Sequence, residues 1–364
     1  MGCGISLPSV AGCAHPPGDP LAVAALDWSP APGALADRIV VGSWDPVAQW
    51  DRRVGAPGLA SAERMIGGNG VKATSSPPIC DYEATDYEAF WRAGRTYEDL
   101  AERIALRALL PPWGHRLVEI GAGFGRLADL YGGYEEVYLL DYARTQVEAA
   151  RRRWGHDPRF RFVVGDLYRL PFMPGSFDTV VMVRVIHHVQ DVPRALGGIH
   201  EILRPGGVFV LEFASKRHLK AILRYALGAQ SWSPFSPEPV EFAPLHFDFH
   251  PAWMRARLEE AGFRIRRERA VSHFRHPWLK RLIPAPWLAR MDGWVQGIGA
   301  LWKLTPSIFV QAEAGPREHL TGDGLWRCPL CRLPAHEEET AVVCPAGHRW
   351  PREGSLYVMR PMGA

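Results

Sequence analysis

The 364-residue sequence predicts an α/β protein with a doubly wound parallel sheet and a small module of different composition at its C-terminus. Between residues 116 and 213, short apolar runs alternate with stretches of helical periodicity. Strands that are apolar throughout are typical of parallel sheets with helices on both faces. One of these runs leads into a glycine-rich turn, and three cysteines and one histidine cluster near the end of the chain.

Each element of the predicted sheet follows from its local pattern. Thr96 and Asp99 form a capping box that opens a helix through Leu110, just before two prolines. Strands are expected at five apolar runs, Arg116–Ile120, Glu136–Leu140, Phe160–Val164, Thr179–Val185 and Val208–Phe213. Helices are expected between them at Gly125–Tyr131, Ala143–Trp154 and Val192–Leu203.

The sequence divides into three parts. Residues 1–80 are rich in Gly, Pro and Ala without sustained periodicity, which predicts an extension that is disordered or lies before the true translation start. Residues 81–314 form the sheet domain, with insertions at 215–250 and 272–305, a helix at Ala252–Ala261, and strands at Phe263–Ala270 and Ser307–Ala312. Residues 315–364 form the C-terminal module.

Composition narrows the class of protein. An apolar content of 47% is ordinary for a soluble chain, and no run of about 20 apolar residues predicts a transmembrane helix. No Lys or Arg precedes Arg38, so the N-terminus lacks the basic start of a secretory signal. The six cysteines form no disulfide framework, which suits a reducing compartment. We therefore expect a cytoplasmic protein.

The glycine-rich turn indicates a nucleoside site. Glycines at 121, 123 and 125 let the backbone approach a ligand closely, whereas a turn without a ligand is the alternative interpretation. Arg126 stands where a dinucleotide fingerprint would place Gly or Ala. Glu119 is an unusual carboxylate for a central strand.

Two further acids follow the next strands. Asp141 ends the second strand, where a carboxylate can accept hydrogen bonds from both hydroxyls of a ribose. Asp166 follows the third strand and is placed to take an adenine amino group while Leu167 packs on the ring. Together these positions predict a site for an adenosine-containing cofactor.

With Leu170-Pro171-Phe172, Val185–Val189 and Leu203–Gly207, these motifs resemble the class I S-adenosylmethionine-dependent methyltransferases, in the type 11 and ubiquinone/menaquinone branch. The resemblance covers about residues 81–312 and implies a Rossmann-like seven-stranded sheet that ends in an antiparallel hairpin. It implies S-adenosyl-L-methionine as cofactor, with contacts from Glu119, Gly121, Ala122, Gly123, Asp141, Tyr142, Asp166, Leu167 and Arg184. Arg95 could pair with the cofactor carboxylate or form a surface salt bridge.

Histidines are the candidate catalytic residues. Methyl transfer needs the acceptor held near the methyl carbon, and a general base only when the acceptor must lose a proton. His187 and His188 follow the fourth strand, and His246 and His250 lie in the insertion. Packing is the alternative role for each. No cysteine is expected in the catalytic domain, which argues against a covalent mechanism on pyrimidines.

The C-terminal module predicts a structural Zn²⁺ site. Cys328 and Cys331 form a C-x2-C pair, followed by Cys344 and His348. These residues supply four ligands for a closed tetrahedral site. The module resembles the zinc ribbon of bacterial 23S rRNA guanine-N1 methyltransferases, where the ribbon precedes the catalytic domain. Six Arg and six acidic residues from residue 315 onward leave it without net charge, which argues against RNA binding.

Three functions remain open from the sequence. We favour transfer of a methyl group to a small-molecule or lipid-like acceptor, because residues 216–303 combine 15 basic and 7 acidic residues with recurring tryptophans. Such a composition suits peripheral contact with a membrane, although a helical lid explains it equally. The alternatives are an RNA methyltransferase that recognises RNA through the ribbon, and a cofactor-binding scaffold without activity.

Overall fold

A twelve-stranded sheet and a separate two-stranded sheet occur in the part of the chain that the computed structural model describes, residues 77–83, 87–92, 94–316 and 324–361. The first 76 residues of the predicted extension lie outside these ranges. In chain order the strands are β1 (Gly114–Ile120), β2 (Tyr134–Asp141), β3 (Phe160–Val164), β4 (Phe177–Met182), β5 (Leu203–Ala214), β6 (Val240–Ala243), β7 (His246–Asp248), β8 (Phe263–Val271), β9 (Ser307–Ala314), β10 (Trp326–Arg327), β11 (Pro334–Glu337), β12 (Ala341–Val343), β13 (Arg349–Glu353) and β14 (Leu356–Val358).

Eight α-helices accompany these strands in the described ranges. They are α1 (Tyr87–Arg92), α2 (Thr96–Leu109), α3 (Arg144–Trp154), α4 (Val192–Ile202), α5 (Leu219–Ala226), α6 (Pro251–Glu260), α7 (Pro277–Leu282) and α8 (Ala285–Gly299). Two apolar cores cover the two faces of the sheet. One core takes its helical side chains from α4 and α6, and the other takes them from α2, α3 and α8.

Seven strands form the α/β sheet that the sequence predicts. Their order is β3-β2-β1-β4-β5-β9-β8, with β1 to β5 parallel and β9 antiparallel to both β5 and β8. The Rossmann-like fold with an antiparallel final hairpin is therefore confirmed. The carboxyl ends of β1, β2 and β4 meet at one edge, where the candidate residues lie.

Three local predictions differ from the structure. The helix predicted at Gly125–Tyr131 is only a short 3₁₀ turn at Ala128–Leu130, because Gly125 has φ of 71° and its carbonyl accepts a hydrogen bond from Trp154. The fourth strand stops at Met182, since Arg184 adopts φ of 64°. Thr96 is the first residue of α2 and not its cap; Arg95 precedes it without a side-chain hydrogen bond.

The C-terminal module is part of the sheet. Its five strands β10 to β14 are antiparallel to one another, but β14 pairs in parallel with β3. Trp326 packs against Phe172 and Tyr138 with ring centroids 5.6 and 6.2 Å apart, so the core of the module continues that of the domain. The sequence predicts a separate module, whereas the structure joins it to the edge strand.

Helix α8 carries a polar network on its buried side. The Asp292 carboxylate is fully buried and accepts hydrogen bonds from Tyr97 at 3.2 Å, from the His273 backbone at 2.8 Å and from Gln296 at 2.9 Å. Burial opposes ionisation of this carboxyl, but the hydrogen bonds from His273 and Gln296 outweigh it and lower its pKa. This network fixes α8 against α2. No helix of the described residues is long and apolar enough to cross a membrane.

Removal of the Asp292 carboxylate should destabilise the domain strongly. Asp292→Ala would leave buried donors of Tyr97, His273 and Gln296 without an acceptor, at an expected cost of about 3–5 kcal/mol in the free energy of unfolding. Urea denaturation measures this cost. Arg290→Ala, on the exposed side of the same helix, is the matched control and should stay within about 0.5 kcal/mol of wild type. Equal stability of the two variants would contradict the role of the network.

Candidate functional site

The glycine turn forms a cradle at the end of β1. The Gly121 N–H donates to the Leu140 carbonyl at 2.7 Å, and Gly121 has φ of 72°. A Cβ at this position would lie 2.1 Å from Val185 Cγ2, so only glycine fits. Gly123 has φ of 54°, and its N–H donates to Asp141 Oδ2 at 2.8 Å. The turn is thus fixed against the end of the neighbouring strand.

Asp141 lies at the centre of this arrangement. Its second carboxylate oxygen accepts a hydrogen bond from the Ala143 N–H at 2.9 Å, and burial raises its pKa to about 6. The next residue, Tyr142, has the guanidinium of Arg360 4.1 Å from its ring centre. Arg360 belongs to the C-terminal module. One face of the Tyr142 ring, which is predicted to stack on adenine, is therefore covered by the module.

A cavity with a volume of about 110 Å³ opens beside the turn. Seven of the predicted site residues line it, namely Gly121, Gly123, Asp141, Tyr142, Leu167, Arg184 and His188. Glu119, Ala122, Asp166 and His187 are outside its wall. Apolar side chains form much of the remainder, including Ile79, Ile120, Leu140, Val185 and Val189.

Three of the predicted site residues lie outside the cavity wall but next to residues that form it. The side chain of Ile120 lines the cavity, so strand alternation directs Glu119 to the other face of the sheet, where burial raises its pKa to about 8. Ala122 donates its N–H to the Leu140 carbonyl at 3.0 Å. Asp166 is buried and accepts a hydrogen bond from the Tyr168 N–H at 2.7 Å.

A buried ion network holds the floor of the site. Glu102 of α2 is fully buried and accepts hydrogen bonds from Arg126 at 2.7 Å and from Arg184 Nε at 2.8 Å. Arg126 leaves the glycine turn with its guanidinium 3.7 Å from the centre of the Trp91 ring. The backbone N–H of Arg184 donates to Glu212 of β5 at 3.0 Å. This network joins α1, α2, the glycine turn and the segment after β4.

Arg95 belongs to the same positively charged region. Burial, together with repulsion from Arg184 and Arg275, lowers the pKa of Arg95 to about 10. Arg275 lies 3.7 Å from a carboxylate oxygen of Glu98. Three guanidinium groups thus lie close enough to repel one another near the end of the cavity that Arg184 lines. Such a cluster favours an anionic group nearby.

The histidines form a buried cluster behind the cavity wall. His188 Nε2 lies 2.8 Å from the Tyr82 hydroxyl, and Nδ1 lies 3.0 Å from the Leu245 carbonyl. Since a carbonyl only accepts, Nδ1 carries the proton and Tyr82 donates to Nε2. Burial and repulsion from His246, whose ring centre is 4.6 Å away, lower the pKa of His188 to about 3.

The other three candidate histidines also have structural partners or buried surroundings. His246 Nδ1 lies 2.8 Å from the Pro244 carbonyl. Burial and the neighbouring His188 lower the pKa of His187 far below its usual value. His250 accepts a hydrogen bond from the Ala252 N–H at 3.2 Å and caps α6. His250 therefore acts as a helix cap in this conformation, and only His188 reaches the cavity wall.

The sequence pattern missed the segment before residue 81. Pro78, Ile79, Cys80 and Tyr82 line the cavity, so three residues before the predicted domain boundary at residue 81 belong to its wall. Residues 81–314 contain no cysteine, as expected, but Cys80, just before this range, lies in the wall. Residues 78–80 have the composition of a linker and no periodicity, so the sequence contains no pattern that predicts their place in the cavity wall.

Glu83 anchors this segment. Its carboxylate accepts hydrogen bonds from the backbone N–H groups of Arg144 at 3.0 Å and Thr145 at 2.8 Å. These are the first residues of α3, whose own cap residue, Ala143, supplies no side-chain hydrogen bond. Glu83 also lies 3.3 Å from the guanidinium of Arg360. A distant acid therefore caps α3 and connects the segment to the C-terminal module.

The predicted metal ligands lie together. The ligand atoms of Cys328, Cys331, Cys344 and His348 are all within 4.8 Å of one another. Cys331 Sγ lies 3.5 Å from Cys344 Sγ, and His348 Nδ1 lies 3.4 Å from Cys344 Sγ and 3.6 Å from Cys328 Sγ. A tetrahedral zinc ion with Zn–S near 2.3 Å and Zn–N near 2.0 Å requires separations of about 3.5–3.8 Å. These three separations are close to that geometry, and the chemistry of the four donors suits zinc.

Known proteins match this chain over its sheet domain. A family model described as a methyltransferase domain matches residues 118–211. A demethylmenaquinone methyltransferase of Beutenbergia cavernae is 30% identical over 176 residues, which cover 45% of this chain and 72% of that protein. The corresponding enzyme of Thermus thermophilus is 30% identical and covers 42% and 76%. The chain spans only 34%, 64% and 45% of three other relatives, from Streptomyces fradiae, Mycolicibacterium smegmatis and Clavibacter sepedonicus.

Solved structures also resemble the chain. A chain from the complex between the Haloferax volcanii Trm112 methyltransferase activator and a methyltransferase has 21% identity and a TM-score of 0.44, covering 64% of this chain and 98% of that chain. An S-adenosylmethionine-dependent methyltransferase of Mesorhizobium loti has 24% identity and a TM-score of 0.43, covering 60% and 99%. With the glycine cradle and the seven-stranded sheet, the sequence relatives show that the chain belongs to the S-adenosylmethionine-dependent methyltransferase family.

Proposed function

We propose that this protein transfers a methyl group from S-adenosyl-L-methionine to a small, largely apolar acceptor of the lipid-like class. One observation carries the proposal. The glycine cradle and Asp141 form one side of the cavity, and Tyr82, His188 and apolar side chains form the rest of its wall. A polar cofactor and an apolar acceptor therefore each have a suitable surface in one cavity.

The residues present fit the cofactor. Asp141 offers carboxylate oxygens to the ribose hydroxyls, and the cradle leaves no Cβ between the backbone and a ligand. Arg184, with Arg95 nearby, supplies positive charge for a carboxylate. When bound, the cofactor supplies a methyl group on a positively charged sulfur. The protein then needs to hold the acceptor atom in line and to exclude water.

The acceptor atom needs little help from a base. A useful general base has a pKa near the working pH, whereas the pKa of His188 is about 3. His188 therefore holds the Tyr82 hydroxyl in place and stays neutral, with its single proton on Nδ1, at neutral pH. We infer an acceptor that is already nucleophilic when it binds, such as an ionised phenol or an electron-rich ring carbon. His187 and His188 as catalytic bases stay predictions.

The relatives support this acceptor class only weakly. Several are named demethylmenaquinone methyltransferases, which fits a lipid-like acceptor. Another, from Mus musculus, is named EEF1A lysine methyltransferase 4, and it covers 38% of this chain. The uncharged C-terminal module gives no support to RNA as the acceptor. The apolar cavity wall is the reason for our choice.

We further propose that the cysteine and histidine cluster holds a structural Zn²⁺ ion. All four ligands come from the protein, so no position is left for water or substrate. The ion would fix the turns that carry β10 to β14. Because β14 pairs with β3, it would also place Arg360 against Tyr142 and Glu83. The module thereby supports the adenosine end of the cavity.

Affinity for S-adenosyl-L-methionine should fall as the pH drops through about 6, the pKa of Asp141. Below that pH the carboxyl is protonated and loses its capacity to accept both ribose hydroxyls. Asp141→Asn should weaken binding about 10- to 100-fold at neutral pH and flatten this pH dependence. Calorimetric titration between about pH 5 and 8 measures both effects. The control is Asp157→Asn, in the turn after α3, which should bind the cofactor as wild type does. If Asp141→Asn kept the wild-type pH profile, the assignment of Asp141 as the ribose-binding carboxylate would be contradicted.

Loss of Arg360 should weaken cofactor binding without loss of the metal. Arg360→Ala removes the contact with Tyr142 and the ion pair with Glu83, which together predict a loss of about 1–2 kcal/mol, or about 5- to 30-fold in affinity. The matched control is Arg349→Ala, which removes an exposed ion pair with Glu338 inside the module. Elemental analysis should find about one zinc per chain in both variants. Equal affinity of the two variants for the cofactor would contradict a role of the C-terminal module in cofactor binding.

Label transfer tests the proposed acceptor class directly. The protein is incubated with methyl-tritiated S-adenosyl-L-methionine and host lysate, and RNA, protein and organic-soluble fractions are separated. We expect counts in the organic fraction with wild type and with Gly132→Ala, where a Cβ meets no atom within 4 Å. Gly121→Ala should transfer no label. Counts confined to RNA or to protein would overturn the proposal.

A further inference from the structure

Helices α7 and α8 present an apolar face to solvent. Trp287, Trp294 and Leu301 are 60%, 71% and 77% exposed. The residues of this α7–α8 face are Trp278, Leu282, Trp287, Met291, Trp294, Val295, Ile298, Leu301 and Trp302, all at least 36% exposed. Isolated apolar side chains are normal on a protein surface, but a continuous apolar face of this size marks an interaction site.

Helix α8 carries apolar side chains on both sides. Positions 287, 291, 294, 298 and 301 follow one another at helical spacing on the outside, whereas the buried side holds Leu288 and Ala289 together with the polar pair Asp292 and Gln296. The buried polar pair is bonded to Tyr97 and to the Ala101 carbonyl of α2. The inner face of the helix is therefore already satisfied by the domain. The outer apolar face is not needed for packing and is available to a partner.

Basic side chains are interleaved with this face. Arg290 lies 6.0 Å from the ring centre of Trp287, and Arg281 is one helical turn from Trp278. Between residues 269 and 303 the chain has six Lys or Arg and one acid, Asp292, which is fully buried. Lys280 pairs with Glu98 at 3.0 Å and Lys303 pairs with Glu268 at 3.0 Å, so the exposed positive charge of this segment comes mainly from Arg281 and Arg290.

Helix α5 extends the same surface. The Leu219 N–H donates to the Leu304 carbonyl at 2.9 Å, and Arg217 donates to the Trp302 carbonyl at 3.0 Å. This places the start of α5 beside the end of the α7–α8 face. Along α5, Leu219, Leu223 and Leu227 are exposed at intervals of four residues, next to the exposed Lys220 and Arg224.

We propose that the α7–α8 face, extended by α5, docks the protein on an anionic lipid bilayer. Exposed tryptophans with nearby Lys and Arg are the composition that binds the interface of a membrane without crossing it. The exposed positive charge complements an anionic headgroup layer. The inference rests on this surface and not on the proposed reaction, so it can fail or hold independently of methyl transfer.

Charge argues against a second copy of the chain as the occupant. In a two-fold symmetric dimer the same patch faces itself, so Arg281, Arg290 and Arg224 would oppose their own copies. Like charges across an interface are unfavourable. A lipid surface meets the same residues with opposite charge.

Vesicle sedimentation with the full-length protein tests the proposal. Wild type should bind vesicles of phosphatidylcholine with about 30 mol% phosphatidylglycerol at least about tenfold more tightly than pure phosphatidylcholine, and about 0.5 M NaCl should remove the difference. Trp287→Ser/Trp294→Ser should weaken binding by about tenfold or more. Arg290→Glu should weaken it about 25-fold, because each unit of charge near an anionic surface changes affinity about fivefold. Trp113→Ser, at a 76% exposed tryptophan before β1, is the matched control and should bind as wild type does.

Two measurements keep the result interpretable. Calorimetric binding of S-adenosyl-L-methionine should be unchanged in all three variants, which shows that they are folded. Light scattering should find the same mass for wild type and Trp287→Ser/Trp294→Ser. If folded wild-type protein did not bind anionic vesicles, the proposal would be overturned. A dimer that the double variant dissociates would also overturn it and assign the face to a second copy.

Discussion

The buried carboxylate of Glu102 is the constraint on which the site depends. It is fully enclosed and has two guanidinium partners, Arg126 from the glycine turn and Arg184 from the segment after β4. A buried charge is tolerated only when its partners are held in good geometry. The network therefore requires α2, the turn and the end of β4 to be in register at once. The cradle and the positive end of the cavity are fixed by the same ion cluster.

This constraint explains the local sequence around the turn. Arg126 occupies the position where a dinucleotide fingerprint has a small residue. In the structure its side chain donates a hydrogen bond to Glu102 and packs on Trp91. The positive φ of Arg184 turns the chain so that its side chain also reaches Glu102. A left-handed conformation is costly for arginine, and the buried ion pair offsets that cost.

The C-terminal module acts on the opposite side of the cavity. Strand β14 adds to the outer edge of β3, which removes an exposed parallel edge from the domain. The residues just after β14 then reach Tyr142 and Glu83. Since Glu83 caps α3 and belongs to the segment that lines the cavity, the module, the helix and the wall form one connected unit.

The sequence predicted what depends on local pattern. The sheet strands leave a clear pattern, and the structure contains them. The glycine turn, Asp141 and the four cysteine and histidine residues also leave short motifs; Asp141 lies beside the turn, and the four residues lie in one cluster. Contacts between distant parts of the chain leave no such mark. Glu83 capping α3, β14 pairing with β3 and Cys80 in the cavity wall all join residues that no periodicity relates. The prediction of a helix after the turn is wrong for the same reason. The Gly125 carbonyl accepts a hydrogen bond from Trp154, which lies outside the predicted helix.

The state of His188 limits the chemistry of the acceptor further. Its Nδ1 proton is committed to the Leu245 carbonyl, and its Nε2 lone pair receives the Tyr82 hydroxyl. If Tyr82 turned to donate to an acceptor atom, Nε2 would lose its donor but would remain too weakly basic to take a proton. The pair is therefore better suited to orient a polar atom of the acceptor than to remove a proton from it at neutral pH. An acceptor such as an alcohol or a protonated amine would require a base elsewhere before the transfer. An electron-rich ring carbon attacks the methyl group first and loses its ring proton only afterwards, from a cationic adduct acidic enough for water to accept that proton.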